Sequence, residues 1–353
     1  MTAYATAAAA KASHATAGDN VLLWDRTTEG YSEIYFVTFN HRESKTGFWL
    51  RHTLVSPAPG TGPSYAQLWF AFFDAVDPTK NFALNKKIPI GELRAEAAPF
   101  QVTIAGAVLG HDHARGALSG DGHSASWDLA WLPSPASLRL MPKITYRPSF
   151  PSMRVIAPNL DIPLRGTVVV DGRTLTFDGE PGTQSHIWGR KDAQARAWSH
   201  CSAFEGQRGT VIETLTSHLK RGPVALPAIT FGALRLDGED HLLTGFRNAA
   251  LNRGKFGTGF YDVRLQSPTL RIDAHFSCRP QDMVCAEYFG SAGTKSYCHN
   301  TEVGDARVVV SRRGRFSLRW QEQVVLTSEK AAHFEIVTKE PDPAITRRHV
   351  TLP

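Results

Sequence analysis

TVVVDGRTLTF, residues 167–177, is a β-branched run, an Asp-Gly pair and a second run in which apolar and polar side chains alternate. Period-two alternation sends successive side chains to opposite faces of a strand. Asp-Gly tolerates the positive φ angles of a two-residue type I′ turn. The stretch therefore predicts a β-hairpin over Val168 to Phe177. ALRLDGEDHLLTG repeats the arrangement and predicts another over Leu234 to Leu243. A third hairpin is expected where RVVVS and RFSLRW flank Arg313-Gly314.

Working outward, YSEIYFVTFN (31–40), GFWLRHTLV (47–55) and QLWFAFFD (67–74) are short aromatic and β-branched runs separated by polar turns, the pattern of a β-meander. No long window keeps a 3.6-residue apolar period, so helix is limited to a turn or two, expected at 191–196. Residues 133–163 are dense in proline, which cannot donate to a central β-ladder, and they read as irregular chain. About twenty strands in all suit two antiparallel barrels in tandem, because closure removes exposed edges. The division is placed at Glu180-Pro181-Gly182, giving domains over 18–182 and 183–353 after a disordered lead-in, 1–17.

A chain of 353 residues is longer than one usual domain. Its apolar fraction of 42%, with 29 Gly and 21 Pro, fits a globular chain of strands and turns. The net charge of +6 is scattered, whereas a nucleic-acid footprint is clustered; nucleic acid is not an expected partner. No apolar run reaches the ~20 residues of a membrane-spanning helix, so no integral membrane segment is expected. The alanine-rich start lacks the n-region and apolar core of a secretory signal. Cys201, Cys278, Cys285 and Cys298 are too sparse for a disulfide framework. Together these point to a cytoplasmic protein with reduced thiols. Oligomeric state is not legible.

Chemistry concentrates in TQSHIWGRKDAQARAWSHCSAF, residues 183–204. Alternation puts Trp198, His200 and Phe204 on one face, and Gln184, His186 and Trp188 on another. Paired as a hairpin, the two runs would bring His186 and His200 into one aromatic cavity able to bind a polar group or move a proton near neutral pH. The alternative is that the tryptophans are core and the histidines bond to backbone. Glu213 shares an apolar strand face with Val211 and Leu215, and Asp262 and Glu287 also lie in apolar strands; exposed strand faces or ion pairs with arginine are the plainer reading of these carboxylates. His111-Asp112-His113 between glycines reads as a turn, and the spacing of Cys278, Cys285, Cys298 and His299 is unlike a zinc knuckle, so no metal is expected. Phosphate loops, dinucleotide fingerprints and nucleophile elbows are not found.

His186-x-Trp188-Gly189, followed by Trp198, resembles the signature of the hydroxyneurosporene synthase, AttH and tocopherol cyclase-like proteins of the calycin group. Tyr31 to Phe39, centred on Tyr35, followed by Phe48-Trp49-Leu50-Arg51, resembles their first hairpin, and Ser296-Tyr297-Cys298-His299-Asn300 matches near the end. The resemblance implies two lipocalin-like domains and a cofactor-free hydratase, cyclase or isomerase acting on an isoprenoid-, polyene- or polyketide-like substrate. In a cavity of that kind, His186, His200 and Glu213 are the expected catalytic residues and Trp188, Trp198, Tyr35, Trp49, Tyr288, His299 and Asn300 the expected ligand contacts. Ser185 stands where hydratase-type members carry an acid, which puts a carboxylate at that position in doubt. A lipid carrier with the same cavity is the alternative, and the two differ in whether a desolvated titratable group faces the ligand.

Overall fold

The computed structural model describes residues 18–352, apart from 148, 149, 151, 152, 191, 192, 222, 223 and 347; the expected lead-in over 1–17 lies outside the described residues. The architecture is all-β. In chain order the strands are β1 (Tyr31–His41), β2 (Thr46–Ser56), β3 (Tyr65–Asp74), β4 (Phe82–Pro89), β5 (Arg94–Ala97), β6 (Phe100–Ile104), β7 (Ala107–Gly110), β8 (His113–Gly120), β9 (His123–Ala130), β10 (Leu138–Arg139), β11 (Arg154–Val170) and β12 (Arg173–Gly189). There follow β13 (Ala195–Cys201), β14 (Val211–His218), β15 (Lys220–Arg221), β16 (Val224–Ala225), β17 (Ile229–Leu236), β18 (Glu239–Leu243), β19 (Arg253–Gly257), β20 (Phe260–Gln266), β21 (Leu270–Ser277), β22 (Val284–Phe289), β23 (Lys295–Arg312), β24 (Gln321–Thr338) and β25 (His349–Leu352).

The first twelve strands and β25 form a 13-stranded sheet ordered β25-β4-β3-β2-β1-β12-β11-β9-β8-β7-β6-β5, with β10 paired to β11. A 10-stranded sheet runs β18-β17-β14-β13-β24-β23-β21-β20-β19, with β22 paired to β23. The sheets divide after Gly189, not at Gly182, because β12 continues through that position, paired to β1 and β11. β25 then returns to the first sheet, parallel to β4.

Both Asp-Gly hairpins form, with φ of 49° and 80° at Asp171-Gly172 and 52° and 78° at Asp237-Gly238. RFSLRW does not form a strand: Phe316 and Leu318 are 95% and 89% exposed, and the chain turns there before β24. No helix forms over the described part of 191–196: Ala193 and Gln194 lead into β13, which starts at Ala195, while 191–192 lie outside the described residues; the described α-helical turn is α1 (Phe246–Ala249). The proline-dense segment is only partly irregular. β11 starts at Arg154 and takes up Pro158 where its register with β12 shifts between Ile156 and Asn159, a bulge that needs no N–H from proline.

Each sheet curls round a core of its own, and the two pack against each other over a third. Inside the first lie Tyr35, Phe48, Phe70, Phe100, Trp127 and Leu164. Inside the second lie Ile212, Leu265, Phe276, Val308 and Phe334. Between the sheets lie Ile34, Phe36, Trp49 and Trp69 from the first and Trp198, Val211, Tyr288, Cys298 and Val337 from the second. The near-continuous burial of β1 and β2 follows, because both of their faces are covered. No helix among the described residues is long and apolar enough to cross a membrane.

Candidate functional site

β12 and β13 are not a hairpin. β12 pairs with β1 and β11, and β13 with β14 and β24, so His186 and His200 line different spaces. His186 points into the first half-barrel, stacked on Tyr35 with ring centroids 4.3 Å apart. Its Nδ1 lies 2.9 Å from the Asp19 carbonyl and its Nε2 2.9 Å from Glu33 Oε1. Glu33, fully buried, also accepts from the backbone amides of Leu23 and Trp24 and the hydroxyls of Tyr31 and Tyr35. Nδ1 must donate to a carbonyl, so Nε2 and Oε1 share a proton between them. This network ties residues 19–24 across the half-barrel. Trp188, 4.7 Å from His186 between centroids, packs on the same core.

The intersheet face of the second sheet is built in rows. Across β14, β13, β24 and β23, Leu215, Trp198, Glu335 and Asn300 are successive cross-strand partners. One step along, Glu213, His200 and His333 form the next row, and Glu302 completes it beside a register shift in β23. All four of its members are buried. His200 Nδ1 stands 3.4 Å from Glu213 Oε2, and Trp198 Nε1 donates to Glu213 Oε1 at 3.1 Å. The His200 and His333 rings meet edge to face at 5.8 Å. His333 Nε2 donates to Asn40 Oδ1 of the facing sheet at 2.5 Å, which leaves Nδ1 as an acceptor. That Nδ1 lies 2.6 Å from Glu302 Oε2, close but not aligned for a hydrogen bond, and neither atom has another partner. Two lone pairs at that distance would repel, so the contact requires a protonated Glu302. Burial agrees: it pushes Glu302 well above the usual carboxyl range, Glu335 adding to the effect, and pulls His333 down to about 3. Asn300 Nδ2 donates to Glu302 Oε1 at 3.0 Å and joins the two rows.

Over the first row lies a cavity of about 150 Å³ whose walls include Met141, Met153, Val155 and Ile187 from the first sheet and its loops, Trp198, Leu215 and Phe231 from the second, and Phe246 of α1. Glu335 is the carboxylate in this wall, with Arg154 and Arg196 as its cations. Glu335 is 8% exposed, accepts from Cys298 Sγ at 3.4 Å and lies 3.7 Å from Arg196 Nε. From the His-x-Trp run it is Ile187, not His186, that reaches the cavity.

Among the other residues singled out from the sequence, Trp49 and Tyr288 pack between the sheets. Phe204 turns into the second core, away from Trp198 and His200. His299 points to the far side of β23, with Nδ1 donating to the Ile336 carbonyl and Nε2 accepting from the Asp342 amide. Asp262 and Glu287 are partnered by His275 and Lys295 near the surface. His111-Asp112 does turn β7 into β8, and the His111 side chain is buried against Asn20 Nδ2 at 3.0 Å. Among the described residues no group of three or more His, Cys, Asp or Glu is gathered to hold a metal ion. Glu302, His333, Glu335 and Glu33 are not singled out by the sequence reading; Glu33, His333 and Glu335 carry the signal that marks Glu213, a titratable residue inside an apolar run, whereas Glu302 lies among polar neighbours in CHNTEVGDA.

No family model matches the chain. The uncharacterized proteins Rv0493c and MT0513 of two Mycobacterium tuberculosis strains are each 27% identical over 302 residues, covering 82% of this chain and 84% of theirs. Among solved structures, a protein assigned as an AttH from Nitrosomonas europaea superposes with a TM-score of 0.55 at 12% identity, over 91% of this chain and 95% of that one. The chain has the AttH-type, lipocalin-like fold. A second protein with the AttH-type fold, kievitone hydratase from Nectria haematococca, superposes with a TM-score of 0.51 at 8% identity, over 87% and 88% of the two chains.

Proposed function

We propose that the chain is a hydratase-type enzyme acting without a cofactor on an apolar unsaturated small molecule held between the two sheets. The observation that carries this reading is Glu335: a desolvated carboxyl group in the wall of an otherwise mainly apolar cavity, where a carrier needs none. A kievitone hydratase with the same fold supports it without deciding it, since fold does not fix function.

Hydration of a carbon–carbon double bond forms one C–H and one C–O bond and breaks one O–H bond of water. In its protonated form Glu335 gives a proton to the alkene carbon and then, as a carboxylate beside Arg196, takes one back from the water that captures the other carbon. The Trp198 face stabilises the positive charge that develops between these events, and the mainly apolar walls disfavour competing solvent. Glu302, kept neutral by its burial, lies one row away through Asn300 as a held proton. Glu213 and His200 are positioning residues that fix the Trp198 indole. Trp49 and Tyr288 belong to the same layer; His186, Trp188, Tyr35 and His299 are not assigned to the reaction.

The test is identification of lipophilic molecules that co-purify with the full chain, then incubation of the protein with them. A product heavier by one water with wild type, and its loss in Glu335→Gln, supports the reading. Recovery of the molecule unchanged by wild type overturns it in favour of a carrier.

A further inference from the structure

Ala193 and Arg196 line both this cavity and a second, smaller lobe of about 40 Å³, where Ser32, Arg51, Thr53, Gln67 and Ser296 stand beside Ile34, Val55 and Tyr288. That volume admits about three water-sized atoms, the size of a carboxylate. Its lining is far more polar than that of the first lobe. Arg51 is only 6% exposed, and its guanidinium lies over the Tyr288 ring, 4.2 Å from the centroid, and within 6 Å of Trp49 and Trp69. Its Nε donates to Thr53 Oγ1 at 2.8 Å. Among the described residues no carboxylate lies within ion-pairing distance of it, and where the equally buried Arg154 is satisfied by the carbonyls of Thr145, Arg147 and Phe150, Arg51 has the Thr53 hydroxyl and aromatic faces, a poor match for a buried cation. Arg196 lines both lobes, which places a second guanidinium near the head of a ligand lying across them.

A buried guanidinium without an anion is costly unless the space beside it receives one. We infer that the ligand is amphiphilic and anionic: a carboxylate head sits between Arg51 and Arg196, and its unsaturated apolar body fills the lobe under Trp198. The planar fork of Arg51 suits a carboxylate, and Thr53 and the aromatic rings fix its plane so that little side-chain freedom is lost on binding. This rests on the intersheet cavity being the ligand site and narrows the substrate class to apolar unsaturated acids, excluding neutral hydrocarbons.

Isothermal titration of the full chain with 3-phenylpropanoate and with 3-phenylpropan-1-ol separates head from body. The acid is expected to bind at least about tenfold more tightly at low salt. Arg51→Leu removes that preference while leaving the alcohol's affinity within about twofold, and Arg51→Lys keeps part of it; circular dichroism of each variant establishes that it is folded. Equal affinities in wild type, which need no variant, overturn the inference, as does a preference that survives Arg51→Leu. Binding of neither probe overturns the cavity reading itself, and the anionic head falls with it.

Discussion

Gly47 of β2 and Glu302 of β23 meet across the sheet interface so closely that a Cβ on the glycine would stand 2.5 Å from both the Cβ and the carbonyl oxygen of Glu302. The two sheets lie in close contact beside the carboxyl that is held neutral, and Asn40, the cross-strand partner of Gly47, donates to the Glu302 carbonyl at 2.6 Å. Gly47→Ala must push β23 away. The expected loss is about 1–3 kcal/mol, the usual range for overpacking, read as a lowered urea midpoint with unchanged m-value. A wild-type midpoint would show that the interface yields freely there.

Glu302 sets a pH dependence whose sign follows from its raised pKa. The folded chain keeps its proton at pH values where the unfolded chain has released it, so stability drains away as pH rises above the ordinary carboxyl range. Glu302→Gln, which can still accept from Asn300, removes that loss. The variant should be more stable than wild type at pH 7, with the gap closing below about pH 4. A Gln variant less stable at pH 7 than at pH 4, relative to wild type, contradicts a neutral Glu302.

The acid side belongs to histidines. Burial holds His52 down to about 4 and His333 to about 3, against a usual 6.5. Below pH 6.5 the unfolded chain takes up protons that the folded chain refuses, so stability is full above that value and falls as pH drops towards 4 and 3. Each group contributes a slope of up to about 1.4 kcal/mol per pH unit. His52→Gln, which can still donate to the Ala107 carbonyl as His52 Nε2 does, should flatten the fall between pH 6 and 4 in denaturant titrations. An unchanged slope would show that His52 is charged in the fold.

Glu33 gathers five donors, two of them the Leu23 and Trp24 amides. Glu33→Ala breaks a buried pair with His186 and should remove about 3–5 kcal/mol. Hydrogen exchange of those two amides should rise before the rest of the first half-barrel opens. Retained protection would mean that the segment is held by its other contacts, such as Asp19 with Arg139.

Local signals in the sequence were reliable where turn chemistry decides. Asp-Gly fixed two hairpins, and Asp121-Gly122, which turns β8 into β9 with φ of 53° and 80°, carries the same signal and was passed over. RFSLRW alternates as a strand should, yet nothing packs on Phe316 or Leu318, and alternation alone cannot supply a partner. His186 and His200 are fourteen positions apart and look like hairpin neighbours; only the long-range pairing of β12 with β1 and of β13 with β24 separates them. The row from Glu213 to Glu302 was half legible. Glu213 and His200 lie on adjacent strands joined by a short loop, whereas His333 and Glu302 join them through pairings more than a hundred residues away, which no local period reports. Arg51 was visible only as part of a Trp-Leu-Arg run, and its isolation from carboxylates is a property of the packed sheets.

Native mass spectrometry of the full chain with a bound apolar ligand, 3-phenylpropanoate included, compared between wild type and Leu215→Trp, tests the intersheet site most directly. Leu215 lines the cavity beside Trp198 without touching the buried row, so an indole there fills the space in a protein whose fold circular dichroism can verify. The account predicts one ligand bound to wild type and none to the folded variant. A folded Leu215→Trp protein that still carries its ligand would place the binding site elsewhere and remove Glu335 from the chemistry.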